Sequence, residues 1–224
     1  MKFLTIIKGA SERLKDKNFL EIGGRPLWEY SLESLGAEEV FINTDVPDKL
    51  NPKGLSTTVH LVAREQQHID WEAQAADRGS PVNSMLGSFF RDFVVDGTEP
   101  VVLFHVTSPF LRMESVMQAV ERLDSYASVS SVQRVQDFAW LDNGSSPKPI
   151  NFDASRVSRT QDLPSIFLSR GAFFIVSKDE FMKTETRNPE PHGFFELDPI
   201  QALEIDTPED YELAKIVAEG LRHL

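Results

Sequence analysis

VVLFHV, residues 101–106, is six residues in which only one side chain, His105, is polar. A strand with one wet face alternates apolar and polar residues. A run without that alternation is buried on both faces, as strands in a parallel sheet covered by helices are. Similar strand patterns lie at Phe3–Ile7, Val40–Asn43, Val59–Val62, Ser128–Val132, Ala172–Val176 and Ala202–Ile205. Helical spacing of apolar residues separates many of them, at Leu27–Leu35, Val82–Phe93, Met113–Leu123 and Pro208–Leu221. Pro26, Pro81 and Pro208 stand just before or inside the start of a helical pattern, where proline is tolerated. Alternating strand and helix predicts a three-layer α/β fold with a mostly parallel central sheet. The 224 residues are read as one domain, 1–224. Residues 136–166, punctuated by Gly144, Pro147, Pro149 and Pro164, break the rhythm and are expected to form an excursion from that domain.

Composition narrows the function. A formal net charge of −12 argues against a nucleic-acid partner. No apolar run is long enough to span a membrane, and no signal-peptide pattern opens the chain. With no cysteine there is no disulfide, thiolate nucleophile or cysteine-ligated metal, which suits the cytoplasm.

In an open α/β sheet, ligands bind beyond the carboxyl ends of the strands. The first strand ends in TIIKGASERLKDKN, residues 5–18, where Lys8, Arg13, Lys15 and Lys17 crowd around Gly9 and Ala10 in an otherwise acidic chain. Small residues let backbone N–H groups approach phosphate oxygens, and cations neutralise them. The segment is neither GxxxxGK[ST] nor GxGxxG, so by its residues alone it is either an anion site or a turn carrying solvated lysines. A second candidate is ALEIDTPEDYELAKIV, residues 202–217. In a strand, Glu204 and Asp206 would share one face and Ile205 the other. Two carboxylates at a strand end suit Mg²⁺, which takes one or two carboxylates plus substrate phosphates. Thr207, Pro208 and Asp210 read instead as the start of a helix, with a capping-box pattern. His105 is either a hydrogen-bonded structural histidine or a substrate contact.

These segments carry a resemblance. IIKGASERLKDKN followed by IGGRPLWEYSLE resembles the opening of the cytidylyltransferases that activate 3-deoxy-2-keto sugar acids, where IIPARGGSKRIPGKN precedes a GGKPL-type turn. FINTDVP (41–47), VVLFHVTSPFLR (101–112), RTQDLPSIFLSRGAFFIV (159–176) and EIDTPEDYELA (204–214) resemble further motifs of that family, in the same order and over nearly the whole chain. The family is that of the CMP-sialic acid synthetases (N-acylneuraminate cytidylyltransferases), with CMP-Kdo synthetases as more distant relatives.

The resemblance implies a Rossmann-like nucleotidyltransferase fold with a projecting dimerisation segment, CTP and a keto sugar acid as substrates, Mg²⁺ and a homodimer. It implies that Lys8, Arg13, Lys17 and Asp206 serve the phosphoryl transfer, that Ser11, Asn18, Arg64 and Ser80 bind the nucleotide, and that Glu204 joins Asp206 at the metal. His105, Arg159, Arg170 and Phe174 fall on the sugar side. The excursion, with Phe138, Trp140 and Ile150 as apolar residues and Arg156 and Arg159 as carboxylate ligands, is expected to cross to the partner subunit. Five departures stand out: Glu12 where a lysine is usual, His105 for glutamine, Leu168 for arginine, Arg170 for asparagine and Phe174 for tyrosine. They leave room for another nucleotide or sugar on the same fold, or for a nucleotide-binding relative without turnover.

Overall fold

The computed structural model describes residues 1–11, 13–74, 79–156 and 158–222. Glu12, one of the departures above, lies outside the described residues. The chain runs through β1 (Lys2–Ile7), the short β2 (Glu21–Ile22) and β3 (Arg25–Pro26), β4 (Glu39–Thr44), β5 (Thr58–Ala63), β6 (Pro100–Phe104) and β7 (Ser128–Val135). It continues through β8 (Trp140–Leu141), β9 (Lys148–Pro149), β10 (Ile166–Ser177) and β11 (His192–Glu196). Seven strands form the central sheet, in the order β11-β7-β10-β6-β1-β4-β5. β1 lies parallel to β4 and β6, β4 to β5, and β7 to β11. β10 alone runs antiparallel, between β6 and β7.

The continuous apolar strands are buried on both faces. On β6, Val102 and Phe104 point into one core, with Trp28 and Leu32 of the Leu27–Leu35 helix and Val116 and Ala119 of the Met113–Val120 helix. Val101 and Leu103 point into the other, with Leu86, Phe89 and Phe90 of the Val82–Phe93 helix and Phe181. β10 divides the same way, Phe173 and Ile175 against Phe174 and Val176. Two apolar layers on one sheet make the three-layer α/β arrangement expected from the sequence, and each fully buried Leu or Phe contributes roughly 1.5–3 kcal/mol.

Several elements differ from the sequence reading. Ala202–Ile205 is not a strand. The Asp198 carboxylate accepts the N–H groups of Ile200 and Gln201 at 2.9 and 3.0 Å and closes a turn there. Irregular chain leads on from the turn, tied to the sheet end by the Ile205 N–H donating to the Thr107 carbonyl at 2.8 Å. The outer place in the sheet is taken by β11, HGFFE, which periodicity did not reveal. The helix from Met113 stops at Val120 and tightens into a 3₁₀ turn over Glu121–Asp124. Short helices at Gln66–Glu72 and Lys178–Thr184 were not read from the sequence.

The C-terminal helix, Pro208–Leu221, begins as expected. Thr207 Oγ1 accepts the Asp210 N–H and the Asp210 carboxylate accepts the Thr207 N–H, a reciprocal cap. The segment after β7 leaves the sheet and carries the small β8–β9 ladder. Asn151 ties its base: its amide donates to the carbonyls of Asp137 and Pro164, and its oxygen accepts the Ala139 N–H.

Candidate active site

The loop after β1, the ends of β4 and β6, and the irregular chain before the last helix converge on one cleft of about 1000 Å³. Its lining includes Lys8, Ser11, Arg13, Lys17, Asn18, Arg64, Ser80, His105, Glu204 and Asp206, each a site residue expected from the sequence. The opening loop is positioned by backbone approach. The Gly9 N–H donates to Asp45 Oδ1 at 2.9 Å, and a Cβ on Gly9 would lie 2.3 Å from Val46 Cγ1, so this contact requires glycine. Buried Asn18 donates its amide to the Lys8 carbonyl at 3.1 Å and holds the two ends of the loop together.

Cations and carboxylates interlock across the cleft. Asp206 Oδ1 accepts Lys17 Nζ at 2.7 Å and pairs with the Arg13 guanidinium at 2.9 Å. Lys17 also donates to the Ile205 carbonyl at 3.2 Å. Lys8 pairs with Glu72. Arg64 is buried and donates to Asn43 Oδ1 at 3.0 Å and to the Ile7 carbonyl at 3.3 Å, with Glu72 4.0 Å away. Burial lowers the Arg64 pKa, with Asp45 and Glu72 opposing. Burial, then the like charge of Asp206, raises the Glu204 pKa above the ordinary carboxylate range, against the pull of Lys17, Arg13 and Arg170.

Those two acids lack the strand that was to align them, yet both line the cleft, with Ile205 fully buried between them. Two carboxylates lining one cleft, the charge of Asp206 disfavouring ionisation of Glu204, beside cations that can take phosphate, fit a divalent cation. Among the described residues no group of three or more His, Asp or Glu side chains gathers as a ligand set. A pair suits Mg²⁺, whose remaining positions go to phosphate oxygens and water.

His105 faces the cleft from the end of β6. Burial, then Arg187 and Lys17, lower its pKa to about 4, with Asp206 opposing and Lys8 adding to the shift. It is therefore a neutral imidazole at neutral pH. In the unfolded chain this histidine takes a proton near pH 6.5, in the folded chain only near 4. The fold therefore loses stability as pH falls from 6.5 to 4, by up to about 3 kcal/mol from this group. His105→Gln is expected to flatten the acid limb of the melting temperature between those pH values and to leave it unchanged above pH 7. An acid limb identical to wild type would show that His105 is not desolvated.

The remaining sugar-side residues are placed less uniformly. Arg170 does not line the cleft; it donates to Gln133 Oε1 at 2.8 Å and its charge reaches Glu204. Phe174 is 4% exposed, packs in the core and does not line the cleft; its ring lies behind Arg187 and His105, which do. Arg159 sits in the excursion, outside the cleft, with both arms of its guanidinium on Asp162 at 2.6 and 3.0 Å. Sequence reasoning missed Arg187, Asn83 and Glu72, all in the lining. Arg187 lies in TRNPEP, a stretch without motif or periodicity.

Curated relatives agree with the resemblance read from the sequence. The chain is 24% identical to N-acylneuraminate cytidylyltransferase of Streptococcus agalactiae serotype III (strain NEM316), over 94% of this chain and 52% of that protein. It thus spans about half the length of the first curated relatives it matches. It is also 24% identical to CMP-N,N'-diacetyllegionaminic acid synthase of Legionella pneumophila, over 98% of this chain and 97% of the relative. Among solved structures, the fold matches CMP:2-keto-3-deoxy-manno-octonic acid synthetase complexed with CTP, with a TM-score of 0.63 and 13% identity over 98% of each chain. No family model matches the chain.

Proposed function

We propose that this chain is a cytidylyltransferase that couples CTP to a 3-deoxy-2-keto sugar acid, sialic acid or a relative, and releases pyrophosphate. The observation that carries the reading is the cleft itself. Lys8, Arg13 and Lys17 after β1 line one cleft with Glu204 and Asp206, Arg13 and Lys17 in contact with Asp206, and Ser11, Asn18, Arg64 and Ser80 complete the lining. Phosphoryl transfer asks a protein for position and charge neutralisation more than for covalent chemistry. The anomeric hydroxyl loses its proton to solvent and attacks the α-phosphorus; a new oxygen–phosphorus bond forms, and the bond from the α-phosphorus to the bridging oxygen breaks, its electron pair leaving with pyrophosphate. Lys8, Arg13 and Lys17 hold the triphosphate and offset the negative charge that moves onto pyrophosphate. Asp206 and Glu204 would hold Mg²⁺, which supplies further charge neutralisation when bound. Neutral His105, backed by the buried Phe174 ring, borders the acceptor.

The whole chain acts as one domain in this reading, and the cytoplasm, where nucleoside triphosphates are made, is its compartment. Among the described residues no helix is long and apolar enough to cross a membrane. The assay is pyrophosphate release from each nucleoside triphosphate with Mg²⁺ and a panel of sialic, legionaminic, pseudaminic and 3-deoxy-manno-octulosonic acids. Release with CTP and one acid is expected. CTP binding without release from any acid would make the chain a nucleotide-binding protein instead.

The excursion is the dimer element of the same proposal. Trp140, Leu141 and Ile150 are each more than half exposed there, and Phe138 is exposed with them, beside exposed Phe167 and Leu168 of β10. Apolar surface on a projecting segment suits an isologous contact. Sedimentation at micromolar concentration is expected to give twice the 25.3 kDa chain mass. Trp140→Glu is expected to give the single-chain mass; a wild-type single-chain mass would remove the dimer.

A further inference from the structure

Arg187 stands apart from the other basic residues of the cleft. Lys8, Arg13, Lys17 and Arg64 each have a carboxylate or carbonyl partner. Among the described residues, the Arg187 guanidinium has neither; only its backbone N–H is engaged, donating to Asn83 Oδ1 at 3.2 Å. Its position is nonetheless fixed. The guanidinium carbon lies 3.8 Å from the centroid of the buried Phe174 ring. A stacked guanidinium keeps its plane, so its N–H edge stays aimed as a fork. His105 lies beside the same ring, with centroids 6.1 Å apart, and Arg187 exerts the largest charge effect on it. A Cβ placed on Gly171 would lie 3.3 Å from both His105 Nδ1 and Glu204 Oε1, so this glycine lets both lie close.

We propose that Arg187, stacked on Phe174, binds the carboxylate of the acceptor sugar acid and so orients its anomeric hydroxyl. This rests on the function proposed above and adds a residue to it. A preset planar fork matches a planar carboxylate through two parallel hydrogen bonds. The function proposed above gives the triphosphate to the loop cations Lys8, Arg13 and Lys17, which leaves Arg187 for the second anion. Arg159, the sequence-based candidate for the carboxylate, has its fork on Asp162.

The test separates the two anions and does not need turnover. Wild type, Arg187→Met and Arg187→Lys are titrated with CTP in EDTA. Their CTP complexes are then titrated with N-acetylneuraminate, legionaminate, pseudaminate and 3-deoxy-manno-octulosonate, and with the C1 amide of the acid that binds best. Methionine keeps the apolar stack, so folding is retained. The expected result is at least a 30-fold loss of acid binding in Arg187→Met with CTP affinity within threefold. Wild type prefers acid over amide; Arg187→Met does not, and Arg187→Lys regains part of the preference. Equal losses for CTP and acid would make Arg187 a phosphate ligand. Unchanged acid binding, or loss of the acid-over-amide preference in Arg159→Ala instead, would overturn the assignment. If wild type binds CTP but no acid, the acceptor reading itself fails, and this with it. If it binds both without releasing pyrophosphate, only turnover fails and the Arg187 comparison stands.

Discussion

Asp206→Asn is expected to lower kcat by about 100- to 1000-fold, because a neutral amide is a poor ligand for a hard divalent cation. Its effect on CTP binding without metal should have the opposite sign. Asp206 Oδ1 holds both Lys17 and Arg13, and removing its charge frees two cations for the triphosphate. CTP affinity in EDTA should therefore hold or rise several-fold while Mg²⁺-dependent pyrophosphate release collapses. The fold should survive, since the Asp206 backbone N–H still donates to Asp210 at 3.0 Å. Asp210→Ala makes the contrast. It removes the returning half of the reciprocal cap while Thr207 Oγ1 keeps its backbone partner, a loss of about 1 kcal/mol, and should lower the melting temperature by about 2–4 °C with only a few-fold loss of rate. Wild-type turnover in Asp206→Asn would move the metal role to Glu204 or away from this pair.

That pair shows what the sequence could and could not reveal. VVLFHV gave away the doubly covered sheet because burial on both faces suppresses alternation, and the two cores on Val102/Phe104 and Val101/Leu103 are that suppression seen in space. The cap at Thr207–Asp210 was legible because it is local chemistry between residues three apart. Glu204 and Asp206 were placed together for the wrong local reason, a strand, when a turn at Asp198 and one bond to Thr107 do the positioning. β11 escaped because HGFFE is short, and its pairing with β7 joins residues some sixty positions apart. Arg187 escaped because no motif or periodicity marks it; its meaning comes from the Phe174 ring, on the strand before it, and from Asn83, 104 positions away. Local rules read caps and strands, while a side chain positioned by distant packing is read only in the fold.

Lys17→Ala is expected to weaken CTP binding by about 1.5–3 kcal/mol, roughly 10- to 150-fold, the range for a hydrogen bond to a charged group. Arg13→Ala should cost less than tenfold, although both side chains pair with the same oxygen of Asp206. The difference is exposure. The Lys17 side chain is 18% exposed and that of Arg13 is 68% exposed, so solvent and salt screen Arg13 far more. Raising the salt from 50 to 500 mM should erase most of the Arg13→Ala effect and leave most of the Lys17→Ala effect. Lys17 also braces the Ile205 carbonyl, so its loss should loosen Asp206 and lower turnover as well as affinity. In that case Lys17→Ala combined with Asp206→Asn should cost less turnover than the two single effects added, because both act through one contact. Titration calorimetry with CTP gives the affinities and steady-state pyrophosphate release gives the coupling. Wild-type CTP affinity in both single variants would mean that the loop after β1 is a solvated turn, and the triphosphate would have to be held elsewhere.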